Sequence, residues 1–196
     1  MVTENENERQ YAVVDQMLTM HSIYRDRMER RAFWLNTALI AVSLFLTVVA
    51  FVGDDLLRAL SLDPIMARFV LGMAAVCVLV GSITEFRVNW GAIGGRHSEA
   101  ASKLSELKAK YRKAYAEKNG TDSDTNKNVT LEYERIMNSL PTIPDRWFNA
   151  LKAEHQFKRL LSQRISQFPK TPIWFLKVQL RMEGIGEAVR RGRKIP

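Results

Sequence analysis

The side chains best suited to chemistry are few and scattered. His21, His97 and His155 lie far apart in the chain with no second ligand-type residue at metal spacing. Their pattern offers neither a metal site nor a histidine-activated nucleophile. The single Cys77 excludes an internal disulfide and any cysteine-based zinc site. The run GAIGG at 91–95 lacks the lysine and the serine or threonine of a phosphate-binding loop and does not follow a strand pattern. Asp122, Asp124 and Asn126 imitate the start of a calcium-binding EF-hand loop. The sixth position, where that loop needs glycine, is Lys127, and the twelfth is Tyr133 instead of glutamate. The stretch 119–128 therefore reads as a solvated polar loop. No catalytic residue, metal or cofactor is expected, and the chain reads as a non-enzyme.

With catalysis set aside, the informative feature is hydropathy. Ala32 to Gly53 is a run of 22 residues without a charge. A helix of that length rises about 33 Å, enough to cross a hydrocarbon core of about 30 Å. Phe69 to Thr84 is a second uncharged run, of 16 residues, which Pro64, Ile65, Met66 and Ala67 extend while Arg68 and Glu85 turn toward the interfaces. The expected spans are about 33–52 and 65–88. A cleaved signal peptide does not fit, because the first apolar run follows 31 mostly polar residues and is too long for an h-region.

Basic residues set the expected orientation. Arg25, Arg27, Arg30 and Arg31 precede the first span, and Arg87, Arg96 and Lys103 follow the second. The connection holds Arg58 and Arg68 against Asp54, Asp55 and Asp63. The positive-inside bias places both termini in the cytoplasm and the short loop outside. Phe33 and Trp34 then sit level with Phe86 and Trp90 as one interfacial belt. Residues 85–196 carry 22 basic and 12 acidic residues, so the positive excess of the chain, +8 in all, lies in this part. Such a surface suits either an anionic ligand or the negative inner leaflet, and for a tethered domain the leaflet is the default. Direct nucleic-acid binding is not expected.

The cytoplasmic part reads as helices. Ala101, Leu104, Leu107, Tyr111 and Ala114 recur at steps of three and four over His97 to Lys118, with Ser98 as the expected N-cap and Gly91, Gly94 and Gly95 as the expected break upstream. A short helix follows over Val129 to Ser139, then one capped by Asp145 over Arg146 to Phe168. A last one runs from Ile173 to Arg191, with Trp174, Val178, Met182, Ile185 and Val189 in a stripe beside Lys177 and Arg181. That segment either packs on its neighbours or lies in the membrane interface, and Gly184 and Gly186 argue against one continuous helix. At the other end, Tyr11, Val14, Leu18, Tyr24 and Met28 keep helical spacing up to the first span. The fold class is all-α, divided into an N-terminal cytoplasmic helix (1–32), a transmembrane hairpin (33–88) and a cytoplasmic helical domain (89–196).

Inside the spans, Asn36, Ser43, Thr47 and Ala50 follow steps of seven, four and three. Ala74, Cys77, Gly81 and Glu85 make a comparable stripe on the second span. Small and polar faces let helices approach and hydrogen-bond, so these eight residues either pack the hairpin or, in an oligomer of four or more copies, line a pore. Asn36 and Glu85, near matching ends of their spans, are natural partners or part of a cation-attracting ring.

The segments RMERRAFW and EFRVNWGAIGGRHSEAASKLSELKAKY around a tight two-span hairpin, with the spacing of Trp90, His97, Leu104, Leu107 and Tyr111, resemble the SLATT family of bacterial two-transmembrane effectors over about residues 10–170. The resemblance implies an oligomeric inner-membrane effector in antiviral defence that perforates the membrane on a signal. It further implies a nucleotide second messenger, or a nucleotide-generating or nucleotide-sensing partner protein, as the trigger. Arg96, Lys103, Lys110 and Arg112 are the candidate contacts for an anionic nucleotide or for lipid headgroups. The other reading is a non-conducting membrane scaffold or adaptor that recruits a soluble partner through its basic helical domain.

Overall fold

A computed structural model describes residues 2–52, 63–116 and 123–192. Among these residues every element is an α-helix: α1 (Val2–Val52), α2 (Pro64–Val88), α3 (Trp90–Ala116), α4 (Ser123–Ser139), α5 (Asp145–Gln167) and α6 (Ile173–Gly192). Two of them, α1 and α2, carry stretches long and apolar enough to cross a membrane. The chain forms two compact units, His21–Pro141 and, separately, Met1–Met20 with Thr142–Pro196.

The division expected at residue 32 does not interrupt the helix. Val2–Val52 contains neither glycine nor proline, so nothing in the backbone stops the helix where polar sequence gives way to apolar sequence. The change shows in burial instead. Val14, Met20, His21, Ile23, Tyr24, Met28 and Ala32 are buried at helical spacing, whereas most residues from Phe33 onward are exposed.

In the unit His21–Pro141, α2 begins at Pro64, with the Asp63 carboxylate accepting from the Ile65 amide at 3.0 Å. Its end is not at the glycines. Asn89 takes the left-handed conformation (φ 48°, ψ 61°) and donates its amide to the Glu85 carbonyl at 2.8 Å, while its Oδ1 accepts from the Ala92 amide at 3.0 Å. One residue thus caps the end of α2 and the start of α3. Asparagine suits both tasks, being tolerant of positive φ and strong as an N-cap. As a result α3 starts at Trp90, Gly91, Gly94 and Gly95 are helical, and Ser98 is an interior residue and not a cap. The buried side of α3 is His97, Ala100, Ala101, Leu104, Leu107 and Tyr111. The following helix begins at Ser123, six residues before the expected Val129. Residues 123–139 contain neither glycine nor proline, so nothing in the backbone stops the helix at Val129. Part of the expected loop is therefore helical. Residues 117–122, with Asp122 of the EF-hand comparison, and the connection 53–62 lie outside the described residues.

In the second unit, α5 starts at Asp145 itself. Pro144 occupies the cap position, without a side-chain cap, and its carbonyl accepts from the Trp147 amide at 2.8 Å. Leu151, His155 and Leu161 are the buried stripe of α5, and Leu160 is exposed. The last helix continues through Gly184 and Gly186 to Gly192. Its buried contact is Leu176, and Arg164 of α5 pairs with Glu183 of α6 at 2.9 Å.

Candidate functional site

The apolar halves of α1 and α2 are almost entirely outward-facing. Of the most hydrophobic stretch in each, 6% and 0% is buried within the chain. Phe51 is 87% exposed and Phe86 89%. A core helix of a soluble protein would show the reverse. Burying this surface in hydrocarbon stabilises the chain by about 25 cal/mol for each Å² removed from water.

Where the two helices meet, a Cβ added at Gly81 would stand 2.9 Å from Leu39 Cδ2, so the missing side chain admits Leu39. The less exposed positions of α2 are Ala67, Leu71, Ala74, Val78, Gly81 and Glu85, at steps of four and three. Three members of the expected stripe, Ala74, Gly81 and Glu85, lie on this side. Cys77 is exposed, and Val78 belongs to the packed side. On α1 the packed positions are Leu35, Leu39, Leu46 and Val49, while Asn36, Ser43, Thr47 and Ala50 all face outward.

The outward hydroxyls are satisfied locally. Thr47 donates to the Ser43 carbonyl at 2.8 Å, Ser82 to Val78 at 2.9 Å and Thr84 to Val80 at 2.8 Å. Such bonds let hydroxyls sit in hydrocarbon without a partner helix. Glu85 differs. Its Oε2 is buried and has no hydrogen-bond partner, and no bond joins it to the exposed Asn36. A carboxylate oxygen in that position is costly unless a proton, cation or second chain satisfies it.

A second cluster lies outside the apolar stretches, where α3 packs on α1. A Cβ at Gly94 would stand 3.0 Å from Glu29 Cγ and 3.8 Å from the Arg25 carbonyl oxygen, so the helix backbones are close there. One turn further along α3, His97 Nδ1 is 2.8 Å from His21 Nδ1, and both rings are buried. Tyr24 stands edge-on to His97, with ring centroids 4.6 Å apart. A bond between two Nδ1 atoms requires one ring protonated there and the other bare. His21 Nε2 is buried without a partner. The tautomer assignment that strands no N–H has His21 donating to His97. Burial, then the neighbouring His97, pushes the His21 pKa down to about 4. Burial and Arg96 lower that of His97. The pair is thus a neutral lock between α1 and α3. Sequence spacing could not reveal it, because 76 positions separate the two rings. His155 is buried separately, on α5. Among the described residues no three histidine, cysteine, aspartate or glutamate side chains are grouped to hold a metal ion.

The four expected anion contacts do not share one face. Arg96, Lys103 and Lys110 descend one edge of α3 in heptad steps, and Arg112 lies roughly 160° away around the helix. Lys103 pairs with Glu99 at 2.7 Å and Lys110 with Glu132 of α4 at 2.6 Å. The cleft between α3 and α4 mixes Lys103 and Arg135 with Glu106 and Glu132. No protein-family model, curated protein or solved structure matches this chain.

Proposed function

We propose that the chain is an oligomeric, multi-pass protein of the bacterial inner membrane: a two-helix hairpin with a cytoplasmic helical domain and both termini in the cytoplasm. In this reading it forms a pore or disrupts the membrane when a nucleotide messenger or a partner protein signals, in antiviral defence of the SLATT type. The observation that carries the membrane reading is the pair of long apolar helices whose surfaces are unburied within the chain. Glu85 supports assembly, since an unsatisfied carboxylate beside a span gains from a ring of copies, a cation or a proton. Of the candidate contacts on α3 for an anionic trigger, Lys103 and Lys110 lie in exposed ion pairs that an incoming phosphate could replace at little cost.

The test is membrane potential, read by dye fluorescence in bacteria expressing the chain with and without its neighbouring genes. Depolarisation that depends on a neighbour and disappears in Glu85→Ala supports the triggered pore. Unchanged depolarisation in well-expressed Glu85→Ala and Asn36→Ala proteins would remove both residues from the conducting path. A second reading, the non-conducting scaffold, is favoured by the internally bonded hydroxyls of Thr47, Ser82 and Thr84, which need no water. It is the conclusion if stable, membrane-inserted protein never depolarises cells.

A further inference from the structure

The C-terminal helix α6 has two apolar sides with different fates. Leu176 is buried, Leu180 is partly covered, and Glu183 on the same side is tied to Arg164 of α5. On the opposite arc Trp174, Val178 and Met182 recur at steps of four, 68%, 53% and 65% exposed. Lys177 and Arg181 flank that arc, both exposed. The arc itself holds no acidic residue among the described side chains, because Glu183 points to α5.

From this we infer that the outer arc of α6 is a docking surface for an anionic lipid bilayer. The combination is specific to that occupant. A tryptophan with aliphatic neighbours one turn apart fills the boundary between headgroups and acyl chains, and the long stems of Lys177 and Arg181 raise their charges to the phosphates. Negative headgroups supply the charge the arc lacks. Trp174 to Met182 covers roughly 12 Å along the helix axis, so the helix lies in the plane of the surface and does not enter end-on. The inference rests on the reading of the chain as a membrane protein, and adds that α6 makes a separate contact with lipid.

The experiment uses the full chain in a Cys77→Ala background, with Val178→Cys carrying a nitroxide label, reconstituted into vesicles of phosphatidylcholine alone or of equimolar phosphatidylcholine and phosphatidylglycerol. Collisions with oxygen and with a water-soluble nickel chelate report the depth of the label. The expected result is oxygen-dominated relaxation in the anionic vesicles, shifting toward nickel in pure phosphatidylcholine and in Lys177→Glu/Arg181→Glu. Nickel-dominated relaxation in the anionic vesicles would place α6 in water and overturn the inference. Shielding from both reagents would mean that protein covers the arc, and would overturn it equally. Carbonate extraction of the same vesicles reads insertion of the apolar helices independently. Spans retained with a water-exposed label defeat this inference alone, whereas a chain that neither resists extraction nor floats with vesicles defeats the membrane reading as well.

Discussion

His21 Nδ1 and His97 Nδ1 are 2.8 Å apart inside the packed junction of α1 and α3, with His21 completely buried and one of its nitrogens unpartnered. A proton on His97 Nδ1 would remove the acceptor of this bond. A proton on the unpartnered His21 Nε2 would leave the bond in place but bring positive charge into a poorly solvated site.

The pH dependence follows. Below about 6.5 the unfolded chain binds protons at these positions that the folded chain refuses, so stability is full above that pH and falls as pH drops toward about 4, where folded His21 itself titrates. His21 alone contributes a loss of roughly 3 kcal/mol across that window. Thermal melts of the full chain in detergent at several pH values check this. The variant His21→Gln, which keeps a donor but cannot titrate, should lower stability at pH 7 and flatten the slope between pH 6.5 and 4. An unchanged slope would mean that other groups govern acid sensitivity.

Two neighbouring glycines in α3 should respond differently to substitution. A Cβ at Gly95 meets nothing within 4 Å, so Gly95→Ala should stabilise by about 0.5–1 kcal/mol through helix propensity. At Gly94 the same Cβ meets Glu29 Cγ at 3.0 Å. Alanine there should be nearly neutral as the Glu29 side chain shifts. Gly94→Leu should cost roughly 1–3 kcal/mol by driving α3 away from α1. Denaturation midpoints of the three variants rank them directly, and a Gly94→Leu protein as stable as Gly95→Ala would contradict the close approach.

Asn89 joins two helices through a single left-handed residue. Asn89→Gly keeps that backbone conformation and loses only the side-chain acceptor for the Ala92 amide, a cost of a few tenths of a kcal/mol. Asn89→Val adds a β-branched side chain where φ is positive and removes the cap, for a cost of about 2–3 kcal/mol. Melting temperatures in the same detergent measure the difference. Similar values for glycine and valine would show that the junction relaxes to a different geometry.

Much of the fold was legible because local rules and burial agree. The apolar runs in α1 and α2, and the stripe Ala101, Leu104, Leu107 and Tyr111, stand out by periodicity and are exposed or buried accordingly. Boundaries were less legible where one residue outweighs a cluster. Three glycines suggested a break, yet an asparagine supplies it, since glycine only permits a turn whereas Asn89 also forms the bonds that end one helix and start another. Asn36 and Glu85 illustrate a further limit. Periodicity places each on a face, but packing of Leu39 against Gly81 decides which faces meet, leaving Asn36 outside and Glu85 partly enclosed. The histidine pair needed the tertiary contact itself.

At Glu85 stability and function should diverge. Its Oε2 lacks a partner in the single chain, so Glu85→Leu, which removes the desolvated oxygen and keeps the volume, should raise the melting temperature of the monomeric chain in detergent, by about 1–3 kcal/mol of unfolding free energy. Glu85→Gln should change it less, because the amide still lacks a partner. In cells the proposed role predicts the reverse order of benefit: leucine abolishes depolarisation and glutamine weakens it. A leucine variant that is both more stable and fully active would show that the carboxylate serves neither packing nor conduction, and one that is less stable would mean that a second copy or a cation already satisfies it.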